Sequence, residues 1–161
     1  MDILEFFHKI APANKNVAAS LEEIRIKEQL LDLKIPADLR LWYELSNGLI
    51  GNFDCGMWRF FSLNELNTIK HYFPGTQLHA INTRINNKVA SGDCLIFSDQ
   101  HVGIPYYAVS LCDENHPVFA LYPNGQNFDC CLVAENFSNF EHLLHQLEPD
   151  FDLSIKLLDE N

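Results

Sequence analysis

Hydrophobic and polar positions divide the chain into helical stripes toward its two ends and a block of short apolar runs between them. Ile3, Phe6, Phe7 and Ile10 share one face of a predicted helix over residues 2–10, which Pro12 breaks. Ser20-x-x-Glu23 has the form of a capping box, in which each side chain satisfies a backbone N–H left over at a helix start. The helix behind it is predicted to run to about Leu33, with Ile26, Leu30 and Leu33 on its apolar side. A third helix starts at Pro36, whose missing N–H costs nothing in a first turn. Leu39, Trp42 and Tyr43 fall at i, i+3 and i+4 there, with Leu41 and Leu45 beside them, a stripe wide enough to predict a mostly buried helix. Asn47-Gly48 is the expected stop, with Gly48 as a left-handed C-terminal cap. The chain then turns near Gly51-Asn52 into a short aromatic strand, Met57 to Phe61.

A second capping box, Ser62-x-x-Glu65, predicts a helix to about Phe73, with Phe61 and Leu66 as its hydrophobic staple. Residues 74–92 are polar and Asn-rich, a loop with room for a short strand at His79–Ile81. From Cys94 the pattern changes to four apolar runs, Cys94–Phe97, Tyr106–Leu111, Val118–Tyr122 and Phe128–Ala134, separated by turn-forming residues. Such close spacing favours an antiparallel meander over parallel crossovers. Ser138-x-x-Glu141 is a third capping box, and Phe140, Leu143, Leu144 and Leu147 give the amphipathic helix that Glu148-Pro149 ends. The tail from Asp150 to Asn161 has apolar residues for one more strand or short helix. Helices on both sides of one strand block predict an α+β fold, an antiparallel sheet with helices packed against it.

Length sharpens this to one domain over residues 1–161, large enough for a substantial core. An apolar fraction of 47% excludes a disordered chain, and no apolar run approaches the ~18 residues of a membrane span. Asp2 and the absence of a small-residue cleavage site argue against a signal peptide. The five cysteines, Cys55, Cys94, Cys112, Cys130 and Cys131, are odd in number and include an adjacent pair, which points away from a disulfide framework and toward the cytoplasm.

Charge changes the picture most. The net charge is −11, and none of it comes from residues 1–88, which hold ten basic and ten acidic residues. Residues 89–161 hold twelve acidic residues and one basic residue, Lys156. A surface built from that half repels nucleic acid and attracts a basic partner, although an acidic face kept for solubility has the same composition. The aromatic residues are densest where Lys and Arg are missing, which also argues against nucleic-acid binding.

No catalytic set emerges. His142 and His145 flank an apolar stripe, and the adjacent Cys130 and Cys131 would point to opposite sides of a strand, so a zinc site is not expected. Cys94, Asp99 and His101 are candidate catalytic groups with no motif to join them, and phosphate-binding and dinucleotide-binding glycine patterns are absent. No cofactor is implied.

The order of segments does resemble a known family. Ile35-Pro36-Ala37-Asp38, Leu41-Trp42-Tyr43 and Ser46-Asn47-Gly48, then Trp58 to Leu66, Gly92 to Phe97 with Gly103, Tyr106 to Val109, Pro117-Val118-Phe119, and Val133 to Phe140 resemble successive segments of the SUKH superfamily of Smi/Knr-type domains, over about residues 21–147. The chain departs from that pattern in having one Gly after Asn47, a glycine-poor turn at His101-Val102-Gly103 and a long 74–92 loop. The resemblance implies a non-enzymatic protein-binding domain whose bacterial members are immunity proteins that bind a toxin, often a nuclease. A scaffold or regulatory protein-binding module is the alternative it leaves open, and a small enzyme a more distant one. Under it, Pro36, Trp42, Asn47, Gly48, Gly92 and Gly103 are expected to form the fold. Asp99, His101, Tyr106, Asp113, Glu114 and Asp129 are the expected partner-binding residues, with a basic toxin domain as the partner.

Overall fold

The structure is a computed structural model that describes residues 16–48, 58–80, 94–100 and 104–146. The expected helix over 2–10, the Gly51-Asn52 turn and the C-terminal tail lie outside the described residues, as do Cys55, Gly92, His101 and Gly103.

The elements in order are α1 (Leu21–Leu31), α2 (Ala37–Leu45), β1 (Trp58–Phe60), β2 (Asn67–Thr68), α3 (Ile69–Tyr72), β3 (Leu78–Ala80), β4 (Cys94–Gln100), β5 (Tyr106–Ser110), β6 (Val118–Asn124), β7 (Asn127–Ala134) and α4 (Phe137–Gln146). The seven strands form one sheet in the order β1-β4-β5-β6-β7-β3, with β2 on the same edge of β4 as β1. Strands β4 to β7 are the expected antiparallel meander. At the far edge β3 joins β7 in parallel, so the sheet is mixed rather than wholly antiparallel.

Helices α1, α2 and α4 lie on one face of the sheet. Their core includes Ile24, Leu39, Trp42, Tyr43, Phe137 and Phe140 packed on Leu95, Phe97, Tyr107, Val109 and Val118. Trp42 sits where three elements meet, 4.7 Å from the Phe60 ring and 5.8 Å from that of Phe137. The opposite face carries Ile96, Ala108, Phe119, Leu121, Phe128 and Cys130, packed with Phe61 and Ile69.

The first capping box forms as its residues predict: Ser20 Oγ accepts the Glu23 N–H at 3.2 Å, and Glu23 Oε2 accepts the Ser20 N–H at 2.8 Å. Helix α1 nevertheless turns a different side inward. Ile24 and Glu28 are buried, and Ile26 and Leu30 are 45% and 77% exposed. The reason is Glu28, whose carboxylate accepts the Ile35 N–H at 3.1 Å and the Lys34 ammonium at 2.9 Å, tying α1 to the approach of α2.

The other two boxes are corrected. Ser62 and Glu65 make the box hydrogen bonds, but the chain does not continue as a helix to Phe73. Asn67 Oδ1 accepts the Thr68 N–H and Thr68 Oγ1 accepts the His71 N–H, local bonds that compete with a helix, while β4 supplies pairing groups at Leu95 and Ile96. The result is a turn, the two-residue β2 and the single turn of α3. At α4 the cap is Asn136, whose Oδ1 accepts the Asn139 N–H, and Ser138 instead donates to Asp38 Oδ2 at 2.7 Å.

Helix α2 begins one residue later than expected. Pro36 is its N-cap, and the Pro36 carbonyl accepts the first helical bond from Arg40. At the other end Ser46 leaves in an extended conformation, so Gly48 does not cap the helix. Its φ of +76° serves another purpose. A Cβ at Gly48 would lie 2.7 Å from Ser62 N and 2.8 Å from the Phe60 carbonyl oxygen, because the two backbones touch. Beside it Asn47 Oδ1 accepts the Leu63 N–H at 2.5 Å, and the Tyr43 hydroxyl donates to the Phe61 carbonyl at 3.1 Å.

Gly48→Ala is expected to cost at least ~2 kcal/mol, from left-handed strain plus forced separation of two backbones. A urea midpoint equal to that of the unmodified chain would contradict the close approach. A second expectation concerns pH. Burial opposes ionisation of Glu28, but the bonds from Lys34 and Ile35 outweigh it and hold the carboxyl below its ordinary value. As pH falls, the unfolded chain therefore takes up this proton first, and the stability Glu28 contributes is lost on the acid side of the ordinary glutamate range. Glu28→Gln should be less stable than the unmodified chain at neutral pH, with the gap shrinking as pH falls below the ordinary glutamate range in paired urea titrations. A gap independent of pH would refute this.

Candidate partner-binding surface

A bulge in β4 decides which side chains meet at one end of the sheet. Pairing with β5 skips a residue between Ile96 and Ser98, so Phe97 and Ser98 both lie toward the helices and Asp99 falls on the opposite face, across from Tyr106. Arg59 of β1 is its other neighbour. The guanidinium binds both carboxylate oxygens of Asp99, Nε to Oδ1 at 3.0 Å and a terminal nitrogen to Oδ2 at 2.5 Å, while covering the Phe61 ring at 4.7 Å. Asp99 holds the Arg59 pKa above its ordinary value. The Asp99 side chain is only 2% exposed, so its charge is spent on Arg59.

Next to this pair lies an open cleft of about 730 Å³, lined from three stretches, 72–76, 104–106 and 123–128. Phe73, Tyr106 and Phe128 stand edge to face, with centroids 4.9 to 6.0 Å apart. Tyr72 carries its hydroxyl to the Glu65 carbonyl. Burial, and then the charge of Asp99, raises the Tyr106 pKa, so its phenol is neutral at neutral pH. The β6–β7 hairpin closes one side through a two-residue loop, Gly125-Gln126, in which Gly125 alone has positive φ, the pattern of a type II′ turn.

The other end of the sheet, roughly 20 Å away along β6, is built differently. There β5 and β6 are joined through Leu111–Pro117. Asp113 Oδ1 accepts the Asn115 N–H at 2.9 Å, and the His116 ring bonds the Ser110 carbonyl at 3.1 Å. That carbonyl can only accept, so His116 Nδ1 carries a proton. Glu114 is exposed at the tip. The pairing of Val118 with Ala134 places the exposed Glu135 at the same end, one residue before the α4 cap. Asp38, bonded to Ser138, adds a further carboxylate in the first turn of α2, where the helix dipole favours it.

The expected partner-binding residues are therefore divided. Asp99 and Tyr106 meet at the cleft end, Asp99 buried and Tyr106 half-buried. Asp129 is near that end but points to the helix side, where it accepts from Asn124 at 2.9 Å. Asp113 and Glu114 occupy the acidic end, and His101 is outside the described residues. Tyr72, Phe73 and Phe128 were missing from the sequence-based set. Their signal was present in Pro74-Gly75 and Pro123-Asn124-Gly125, turns with aromatic residues close by.

Between described residues, Arg25, Lys34 and Arg40 pair with Glu22, Glu28 and Glu44, all in the first third of the chain. Arg59–Asp99 is a pair that reaches the acidic half. Cys130 and Cys131 face opposite layers, and burial raises both thiol pKa values to about 11. Among the described residues no three His, Cys, Asp or Glu side chains gather as metal ligands, and no helix is long and apolar enough to cross a membrane.

Comparison with curated proteins finds no match. Comparison with family models does: residues 18–144, from the stretch before α1 to the second turn of α4, match one model along nearly the whole sheet-and-helix unit. With the α+β architecture, the Asn47-Gly48 seam and the meander in place, the chain belongs to the SMI1/KNR4 family (SUKH-1).

Proposed function

We propose that the protein is a non-enzymatic immunity protein, acting in the cytoplasm, that binds a basic toxin domain and blocks it through the acidic end of the sheet. A nuclease is the toxin class that best suits this chemistry, because a nuclease presents a cationic substrate channel. The observation that carries the reading is the charge of the strand block. Residues 94–146 contain six Asp or Glu and no Lys or Arg. In the described structure, Asp113, Glu114 and Glu135 from that block sit at one end of the sheet. Membership of the family supports a protein-binding domain in general terms. The charge arrangement supports the narrower role.

A scaffold or regulatory module is the second reading. The exposed apolar side chains of α1, Ile26 at 45% and Leu30 at 77%, favour it, since they would support binding that salt does not weaken.

The test uses the purified protein and the toxin domain encoded beside it. Stoichiometric protein should abolish toxin activity, and the association rate should fall by about ten- to a thousandfold as salt is raised. Glu114→Lys, at an exposed position, should slow association severalfold at low salt, with an unchanged melting temperature. Full toxin activity at saturating protein would count against immunity to that toxin. Tight, salt-independent binding would move the assignment to the scaffold reading.

A further inference from the structure

We propose that the aromatic cleft is a second binding site, taking an uncharged, extended, proline-rich segment of a partner protein. Its volume, about 730 Å³, lies within the range of true ligand sites. Its floor is rigid, because Phe73, Tyr106 and Phe128 hold one another edge to face. Its rim is partly apolar and open to solvent, with Ile104 56% and Tyr72 38% exposed.

Charge and hydrogen-bonding capacity select the occupant. Among the described residues none that lines the cleft is ionised at neutral pH, in a chain of net charge −11. A phosphate, carboxylate or ammonium entering the cleft would lose hydration without a counter-charge. The charge of the adjacent Arg59 is balanced by Asp99, which takes its Nε and one terminal nitrogen. What the cleft does offer is donors. Asn127 Oδ1 is occupied by the Gln77 N–H, which leaves its amide nitrogen as the outward group. The Tyr106 hydroxyl has no hydrogen-bond partner among the described residues, and Gln126 is exposed beside it. Flat rings with donors between them match a polyproline II segment, which presents ring faces and carbonyl oxygens but no N–H groups. The site lies at the opposite end of the sheet from the acidic carboxylates and does not depend on the toxin reading.

The test is titration of the full ¹⁵N-labelled chain with an acetylated, amidated decaproline peptide, followed by amide chemical shifts. Saturable shifts confined to the amides of Thr76, Gly125, Gln126 and Asn127, insensitive to added salt, are expected. Ile104→Asp places a charge on the exposed rim without touching the core. It should weaken binding about tenfold while leaving the melting temperature unchanged. Absence of saturable shifts, shifts elsewhere on the molecule, or full affinity in Ile104→Asp would each overturn the proposal. So would cleft shifts with indole but not with decaproline, which would make the cleft a small-molecule pocket instead.

Discussion

The structure depends on the contact between the end of α2 and the chain leaving β1. Gly48 lies against the backbone of Phe60 to Ser62 so closely that no side chain fits between them. On either side of that contact, Asn47 satisfies the Leu63 N–H and Tyr43 satisfies the Phe61 carbonyl. Two residues, Tyr43 and Asn47, thus take over hydrogen bonds that a longer strand would have made to a neighbour. This is how a three-residue edge strand stays in place: β1 is pinned by β4 on one side and by the helix layer above. Phe61 then continues the pairing through its N–H to the Phe97 carbonyl at 2.8 Å, and the Phe60 ring packs on Trp42. Helix layer and sheet are joined by backbone contacts as well as by a greasy interface.

Fixing β1 also fixes the chemistry of the opposite face. Arg59 precedes Phe60, so the strand that buries Phe60 under the helices must present Arg59 on the other side. The β4 bulge brings Asp99 to that same side. Either feature alone would leave a partly buried charge without its partner, and such a charge costs several kcal/mol. The two depend on each other, and together they balance one positive against one negative charge beside the cleft. Neutrality there is a built property. It follows from a pairing register and a one-residue insertion.

The sequence showed most clearly what depends on local period. The four strands of the meander, the α2 stripe of Leu39, Trp42 and Tyr43, and the first capping box could all be read from spacing and turn residues. What failed involved competition between residues distant in sequence. Glu28 is a polar residue on an apparently polar side of α1, and only its bond to Ile35 turns that side inward. Ser62-x-x-Glu65 and Ser138-x-x-Glu141 had equal claims as caps, but one is followed by residues that pair with β4, and the other lost its Ser to Asp38, 100 positions away. The same limit applied to the site. Charge runs were visible as composition, whereas the aromatic cleft joins three stretches that only the meander and the β7 edge bring together.

The two ends of the sheet illustrate how one antiparallel meander can carry two surfaces with opposite character. Alternate turns fall at opposite ends, so turn chemistry is sorted by topology. Asp113-Glu114 in one turn and Glu135 after β7 collect at one end, while Gly125-Gln126 and Ile104 collect at the other. Lysine and arginine are missing from this whole block, but the consequence differs between its ends. Where carboxylates are exposed, nothing of opposite sign from the same block dilutes their field. Where the carboxylate is Asp99, an arginine borrowed from β1 cancels it, and apolar rings take over the surface. A long-range field brings a cationic partner toward the protein without specifying its shape, while a neutral, rigid cleft does the reverse. Separating them along ~20 Å of strand allows each to be tuned by loop substitutions that leave the shared core and its Gly48 seam untouched.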